Sequence, residues 1–201
     1  MYLAMSPTDV LDSVIRLNPS AKTVVDVGAY YCGWSKYMAD QMPEANVYAV
    51  QTPDPNKLNH IIDTPQGELS EFDILGWKKH MKGMLASEYQ EYYDFNLFAK
   101  EINTRNNITG ILATSPRWNI NYDICLISMT KDPNENFKQY VHWRKFGNKG
   151  SVLLIAAYNE LADDEFDGVL KGRSDFVDAI RKLDPDIIEY DHEHLILHNL
   201  K

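Results

Sequence analysis

The sequence predicts an α/β fold: a doubly wound, mostly parallel sheet that closes with an antiparallel C-terminal hairpin strand. Three observations predict it. Short apolar runs without alternation lie between helical patterns, as expected for strands covered on both faces. The stretch from Thr23 to Ser35 reads as a buried strand, a glycine turn and a helix start. The segment from Ile187 to His198 reads as two apolar strands around a polar turn.

Each element follows from local signals. Ser6 can cap a helix, Pro7 suits its first position, and Asp9 completes a box-like pair. Val10, Leu11, Val14, Ile15 and Leu17 recur at helical spacing until Asn18-Pro19 stops the pattern. The first strand is Thr23 to Val27, and a helix from Trp34 to Gln41 ends before Pro43. Strands are expected at Val47 to Val50, Thr109 to Ala113, Tyr122 to Ser128 and Ser151 to Ala157. Helices are expected at Asn134 to Phe146, Glu160 to Leu170 and Ser174 to Leu183. The hairpin pairs Ile187 to Tyr190 with Leu195 to His198.

One insertion breaks the alternation. Residues 52–107 separate the second and third strands, more than one crossover helix needs. Its first part holds the turn-formers Pro53, Pro55, Pro65 and Gly67, and Asp73 to Asn103 reads as one or two amphipathic helices. Its aromatic and polar residues, including His60, Trp77, His80, Tyr89 and Tyr93, either pack on the sheet or face a substrate. The whole chain, 1–201, reads as one domain, and 201 residues suffice for a sizeable core.

Composition narrows the function. The net charge of −9 disfavours nucleic acid and anionic membrane as partners. No apolar run reaches the about 18 residues of a membrane span, and the start lacks a basic region followed by an apolar core. Of the two cysteines, Cys32 lies in the glycine loop and Cys125 in a core strand, so neither a disulfide framework nor a thiolate metal site is expected. These features suit a cytoplasmic protein of a reducing compartment.

The glycine turn carries the functional signal. Asp26 ends the strand, Gly28 opens the turn, and Gly33 lets the backbone pack closely as the helix begins. The spacing is not the dinucleotide Gly-x-Gly-x-x-Gly, since the glycines are five apart with an acid two residues upstream. Asp26, Gly28, Gly33 and Ser35 match the acid, the two glycines and the serine of the first motif of the class I S-adenosylmethionine-dependent methyltransferases. The chain resembles their small-molecule O-methyltransferase-like branch, and the element order extends the likeness from Thr23 to Asn199.

The resemblance implies a Rossmann-like fold and S-adenosyl-L-methionine as cofactor. The glycine loop would pass under the cofactor's methionine portion, with the acid ordering the loop. Asp26, Gly28, Ala29, Gly33 and Ser35 are then cofactor-binding positions. Gln51 stands where relatives carry the acid that grips the ribose, with Asp54 three residues on. Thr114 and Ser115 resemble the segment that borders the adenine, and Ser128 ends the fourth strand.

The match weakens where metal-dependent relatives hold a cation or a base. This chain has Ser128, Lys131, Gln139 and Ala156 there, so no metal is expected. Methyl transfer depends mostly on positioning, and a base is needed only if the acceptor must lose a proton. Lys131, Asp132 and Tyr158 are the candidate catalytic residues, with His60 and His80 as alternatives from the insertion. His192 and His194 are expected in a solvent-exposed turn and show no zinc spacing. The sequence thus favours a metal-independent methyltransferase acting at oxygen on a small-molecule acceptor. The rival is a catalytically degenerate member serving as a binding or structural partner. Nicotinamide-dependent oxidation and nucleic-acid methylation fit less well.

Overall fold

A computed structural model describes residues 7–29, 32–51, 101–112, 118–128, 133–156, 169–189 and 194–200. The elements in chain order are α1 (Pro7–Leu17), β1 (Thr23–Val27), α2 (Gly33–Gln41), β2 (Asn46–Gln51), β3 (Ile108–Leu112), β4 (Tyr122–Ile127), α3 (Pro133–Trp143), β5 (Gly147–Ala156), α4 (Arg173–Leu183), β6 (Ile188–Glu189) and β7 (His194–Leu200). They form one seven-stranded sheet of order β3-β2-β1-β4-β5-β7-β6. β1 to β5 run parallel to one another, whereas β7 runs antiparallel to both β5 and β6. The expected fold class is therefore the observed one.

The strand order reverses between β1 and β4. From β1 the chain winds outward through β2 and β3, then returns to lay β4 and β5 on the other side. Open α/β sheets bind ligands at such a switch point, beyond the carboxyl ends of the strands.

Alternate residues of each strand feed two cores. On one face Val24, Val47, Ala49, Ile124, Leu126, Val152 and Leu154 pack against Val10, Leu11 and Val14 of α1 and Met38 and Ala39 of α2. On the other, Val25, Val27, Cys125, Ile127, Leu153 and Ile155 meet Tyr140 and Trp143 of α3 and Phe176, Val177 and Ile180 of α4. Burial on both faces is why these strands read as unbroken apolar runs.

Polar staples fix the amino edge of the sheet. The Asp123 carboxylate accepts the Lys22 and Thr23 N–H groups at 2.8 and 3.0 Å and the Asn148 amide at 2.7 Å. Asn18, which ends α1, donates through its side chain to the carbonyls of Asp123 and Gly150. Between α3 and α4, Asp184 accepts from Arg144 and from the Tyr140 hydroxyl, so the guanidinium holds that carboxyl below the usual range despite partial burial.

Asn107 is the corresponding staple for α2. Its amide donates to the carbonyls of Ala39, Met42 and Ala45 at 3.2, 3.4 and 3.1 Å, beside the carbonyls a helix leaves unpaired at its end. Asn107→Ala is expected to lower stability by about 1–2 kcal/mol, read as a lower urea midpoint at an unchanged slope.

Most boundaries fall within one to three residues of expectation, and three departures have a visible physical reason or consequence. β5 begins at Gly147 rather than Ser151, because Gly147 pairs with Tyr122 before the strand bulges and resumes at Val152 opposite Ile124. The bulge carries Gly150 at φ 82°, and Gly-Asn-Lys-Gly has no alternation to betray it. α3 ends at Trp143 rather than Phe146, since the Lys145 and Phe146 N–H groups fold back to the carbonyls of His142 and Trp143. Val169 and Leu170, the expected end of a helix from Glu160, are not helical, and the rest of that segment lies outside the described residues.

Candidate functional site

The β1–α2 turn sits over the end of β2. The N–H groups of Gly28 and Ala29 both donate to the Val50 carbonyl, at 2.8 and 3.1 Å. This sharp exit puts Gly28 at φ 84°, a conformation open to glycine and costly for a residue with a Cβ. On the other side the Ser128 N–H donates to the Val27 carbonyl at 3.0 Å, so the ends of β1, β2 and β4 are held together. Cys32 also lies in the left-handed region, at φ 55°, and its N–H donates to the Ala29 carbonyl at 2.6 Å.

Asp26 braces this turn from beneath. Its carboxylate accepts the Ser35 hydroxyl at 2.5 Å and the Ser35 backbone N–H. It is 2% exposed. Burial pushes its pKa up to about 6, with the two Ser35 bonds acting the other way. The acid thus ties β1 to the first turn of α2 from inside. The Cys32 thiol beside it is pushed up to about 12 by burial and by the Asp26 charge. It stays protonated at neutral pH and is no nucleophile.

Gly33 departs from its expected role. A Cβ built there would meet nothing within 4 Å, so close packing of the helix start does not require glycine. What the missing side chain leaves is open space at the start of α2, next to the turn. Gly33 itself is exposed, so this side of the helix start faces solvent.

The remaining expected positions divide. Ala29 is buried in the core on the α1–α2 face, so only its backbone belongs to the turn. Gln51 is the last residue of β2, paired with Leu112 of β3, at the position expected to meet the ribose. Gln139 is buried in α3 and Ala156 ends β5. Thr114, Ser115, Lys131, Asp132 and Tyr158 lie outside the described residues, as do His60, Trp77, His80, Tyr89 and Tyr93 of the insertion. Among the described residues no three His, Cys, Asp or Glu side chains are grouped to hold a metal.

Sequence reading misplaced His194. It is the first residue of β7, opposite Ala156, and 7% exposed, not part of a solvated turn. Its ring lies 6.2 Å from that of Trp34 on α2. The one local signal was its position directly before Leu195-Ile196-Leu197.

No family model matches the sequence, and no curated protein sequence matches it. The solved structures do match. The Bacillus cereus O-methyltransferase, solved in complex with SAH, superposes with a TM-score of 0.55 at 10% identity, over 98% of this chain and 82% of that one. A Klebsiella pneumoniae protein assigned as an O-methyltransferase gives 0.54 at 12% identity, over 100% of this chain and 83% of that one. The fold is that of the class I methyltransferases. The order β3-β2-β1-β4-β5-β7-β6 with its reversed β7 is the feature the likeness rests on, and it sets the braced turn at the switch point. No helix among the described residues is long and apolar enough to cross a membrane.

Proposed function

We propose that this chain is an S-adenosylmethionine-dependent methyltransferase that acts at oxygen on a small-molecule acceptor, without a metal. The observation that carries this reading is the turn itself. Asp26 grips Ser35 from within, Gly28 turns at positive φ, and Gly33 leaves its outer side open at the switch point of the sheet. The cofactor supplies an electrophilic methyl group. The chain's share is to place it: Gly28 and Gly33 by the absence of side chains, Asp26 and Ser35 by keeping the turn rigid, and Gln51, Thr114 and Ser115 by contacts to the nucleoside. An in-line displacement draws most of its acceleration from such placement.

The acidic net charge of −9 suits a small acceptor rather than nucleic acid or an anionic membrane. Lys131, Asp132 and Tyr158 follow β4 and β5 and are the groups nearest in sequence to the acceptor side. Metal independence rests on residue type: Ser128, Lys131, Gln139 and Ala156 offer no set of hard oxygen ligands. Turnover is therefore expected to survive EDTA at millimolar concentration, and loss of turnover restored by magnesium would overturn this part of the reading.

Gly33→Val tests the cofactor site. Because a Cβ there meets nothing in the protein, the variant should keep its melting temperature within about 3 °C. A cofactor in the space would be displaced, so affinity for S-adenosylmethionine by calorimetry should fall at least about tenfold, or 1.4 kcal/mol. Undiminished affinity would remove the site. Tight binding by the parent protein without turnover on any hydroxylated acceptor would favour the catalytically degenerate form.

A further inference from the structure

α2 begins without help from its own sequence. Cys32, in the capping position, makes no side-chain capping bond, and no acid lies in the first turn. A helix start carries about half a positive charge. Lys36, whose N–H closes the first turn on the Cys32 carbonyl at 2.8 Å, adds a cation beside it. Carboxylates that offset this charge come from outside the helix. Asp26 lies beneath the turn on β1, bonded to Ser35. A second is Glu101, which accepts from the Lys36 ammonium at 2.5 Å.

Glu101 belongs to the closing residues of the insertion, 101–107, and these hold α2 along its length. Lys36 and Asp40 share one face of the helix, at the i and i+4 positions. Glu101 and Arg105 have the same spacing with the charges in the opposite order. The two rows match: Lys36 meets Glu101, and Asp40 accepts from Nε and Nη2 of Arg105 at 2.5 and 2.9 Å. Asn107 then closes on the carbonyls of Ala39, Met42 and Ala45. The two ion pairs are not equivalent. Asp40 and Arg105 are the more exposed, and an exposed pair contributes little. The Glu101 side chain is only 18% exposed, and its pair stands at the glycine-turn end of the helix. Both charges are felt in the turn. The Cys32 thiol, raised first by burial and then by Asp26, is lowered by Lys36 and raised by Glu101.

We propose that Glu101, acting through Lys36, is a positioning residue for the cofactor turn: the end of the insertion holds the first turn of α2 in place behind Gly28 to Gly33. The proposal rests on the methyltransferase reading above only for what the turn binds. The hold itself is a property of the free chain. Without Glu101 the Lys36 cation is left beside the start of an uncapped helix, where it is unfavourable, and the hydrogen bond from Lys36 to Cys32 opens more often. Asp40 and Arg105, one turn further along, seat the insertion and do not act on the turn.

The test compares Glu101→Gln, Lys36→Met, their combination and Arg105→Gln, all in the whole chain. In the free protein, hydrogen exchange of the Cys32 and Lys36 amides is expected to speed up about fivefold in Glu101→Gln and to stay at the parent rate in Arg105→Gln. By calorimetry, S-adenosylhomocysteine should bind about fivefold more weakly to Glu101→Gln and within about twofold of the parent to Arg105→Gln. In the Lys36→Met background the Glu101→Gln change should cost nothing, because no cation is left to release. Parent-like exchange in Glu101→Gln, an equal loss in Arg105→Gln, or the same loss with and without Lys36 would overturn the assignment. No binding of S-adenosylhomocysteine by the parent chain would be a different failure, that of the methyltransferase reading. The exchange rates would then still decide whether Glu101 holds the turn.

Discussion

Gly28→Val is expected to abolish S-adenosylmethionine binding while leaving the β6–β7 hairpin folded. Gly28 sits at φ 84°, where a β-branched residue is a steric outlier, so the variant stores about 1–3 kcal/mol of backbone strain or rearranges the turn. Either outcome acts on the junction that matters. The Gly28 and Ala29 N–H groups both hold the Val50 carbonyl, and a shifted turn loses the alignment of β1 against β2. The side chain would also stand on the proposed cofactor's side of the turn. Affinity by calorimetry should drop by more than about 100-fold, beyond 2.7 kcal/mol. Leu195 and Ile196 pack on β5 three strands away and should keep their amide protection. Undiminished affinity in Gly28→Val would place the cofactor elsewhere. Gly33→Val is the control, because it adds bulk to the same turn without strain.

The second large effect is a pH dependence set by Asp26. Its folded pKa, about 6, lies above the unfolded value of 3.8 because burial disfavours the charge. Between those two values the folded chain holds more protons than the unfolded one, so stability falls as pH rises. The contribution is full below pH 4 and gone above about pH 6, a loss of about 3 kcal/mol at 1.36 kcal/mol per pKa unit. Asp26→Asn stays neutral throughout, and its amide oxygen can still accept from Ser35. Measured in urea at pH 4, 5, 6 and 7, the stability of the variant minus that of the parent should rise across this window by that amount and then level off. The difference cancels every other titrating group. A flat difference would mean that the carboxylate is better solvated than its 2% exposure indicates.

The sequence by itself determined most of the described elements. Thr23 to Val27 is a strand end to end, and the other parallel strands fall within a few residues of the apolar runs that signalled them. Local chemistry suffices there, because a strand buried on both faces has to be apolar at every position. The Asp26, Gly28 and Ser35 constellation was equally legible, since a turn at positive φ and an acid within reach of a helix start are short-range facts. What tertiary structure decided depends on residues far apart in the chain. β5 starts at Gly147 because Tyr122 lies beside it, 25 residues away in sequence order, and no periodicity in Gly147 to Gly150 foretells that. Gly33 looked like a packing glycine, and only the absence of any neighbour around it shows that its outer side is open. His194 looked like a turn residue, but it pairs with Ala156 and is buried beside the Trp34 ring at the carboxyl edge of the parallel strands. The shift of Asp26 has the same origin: its partner Ser35 is local, but the desolvation that raises it comes from the sheet and α2 closing over the carboxyl group. Register, burial and desolvation are sums over distant contacts, and those sums exist only once the chain has folded.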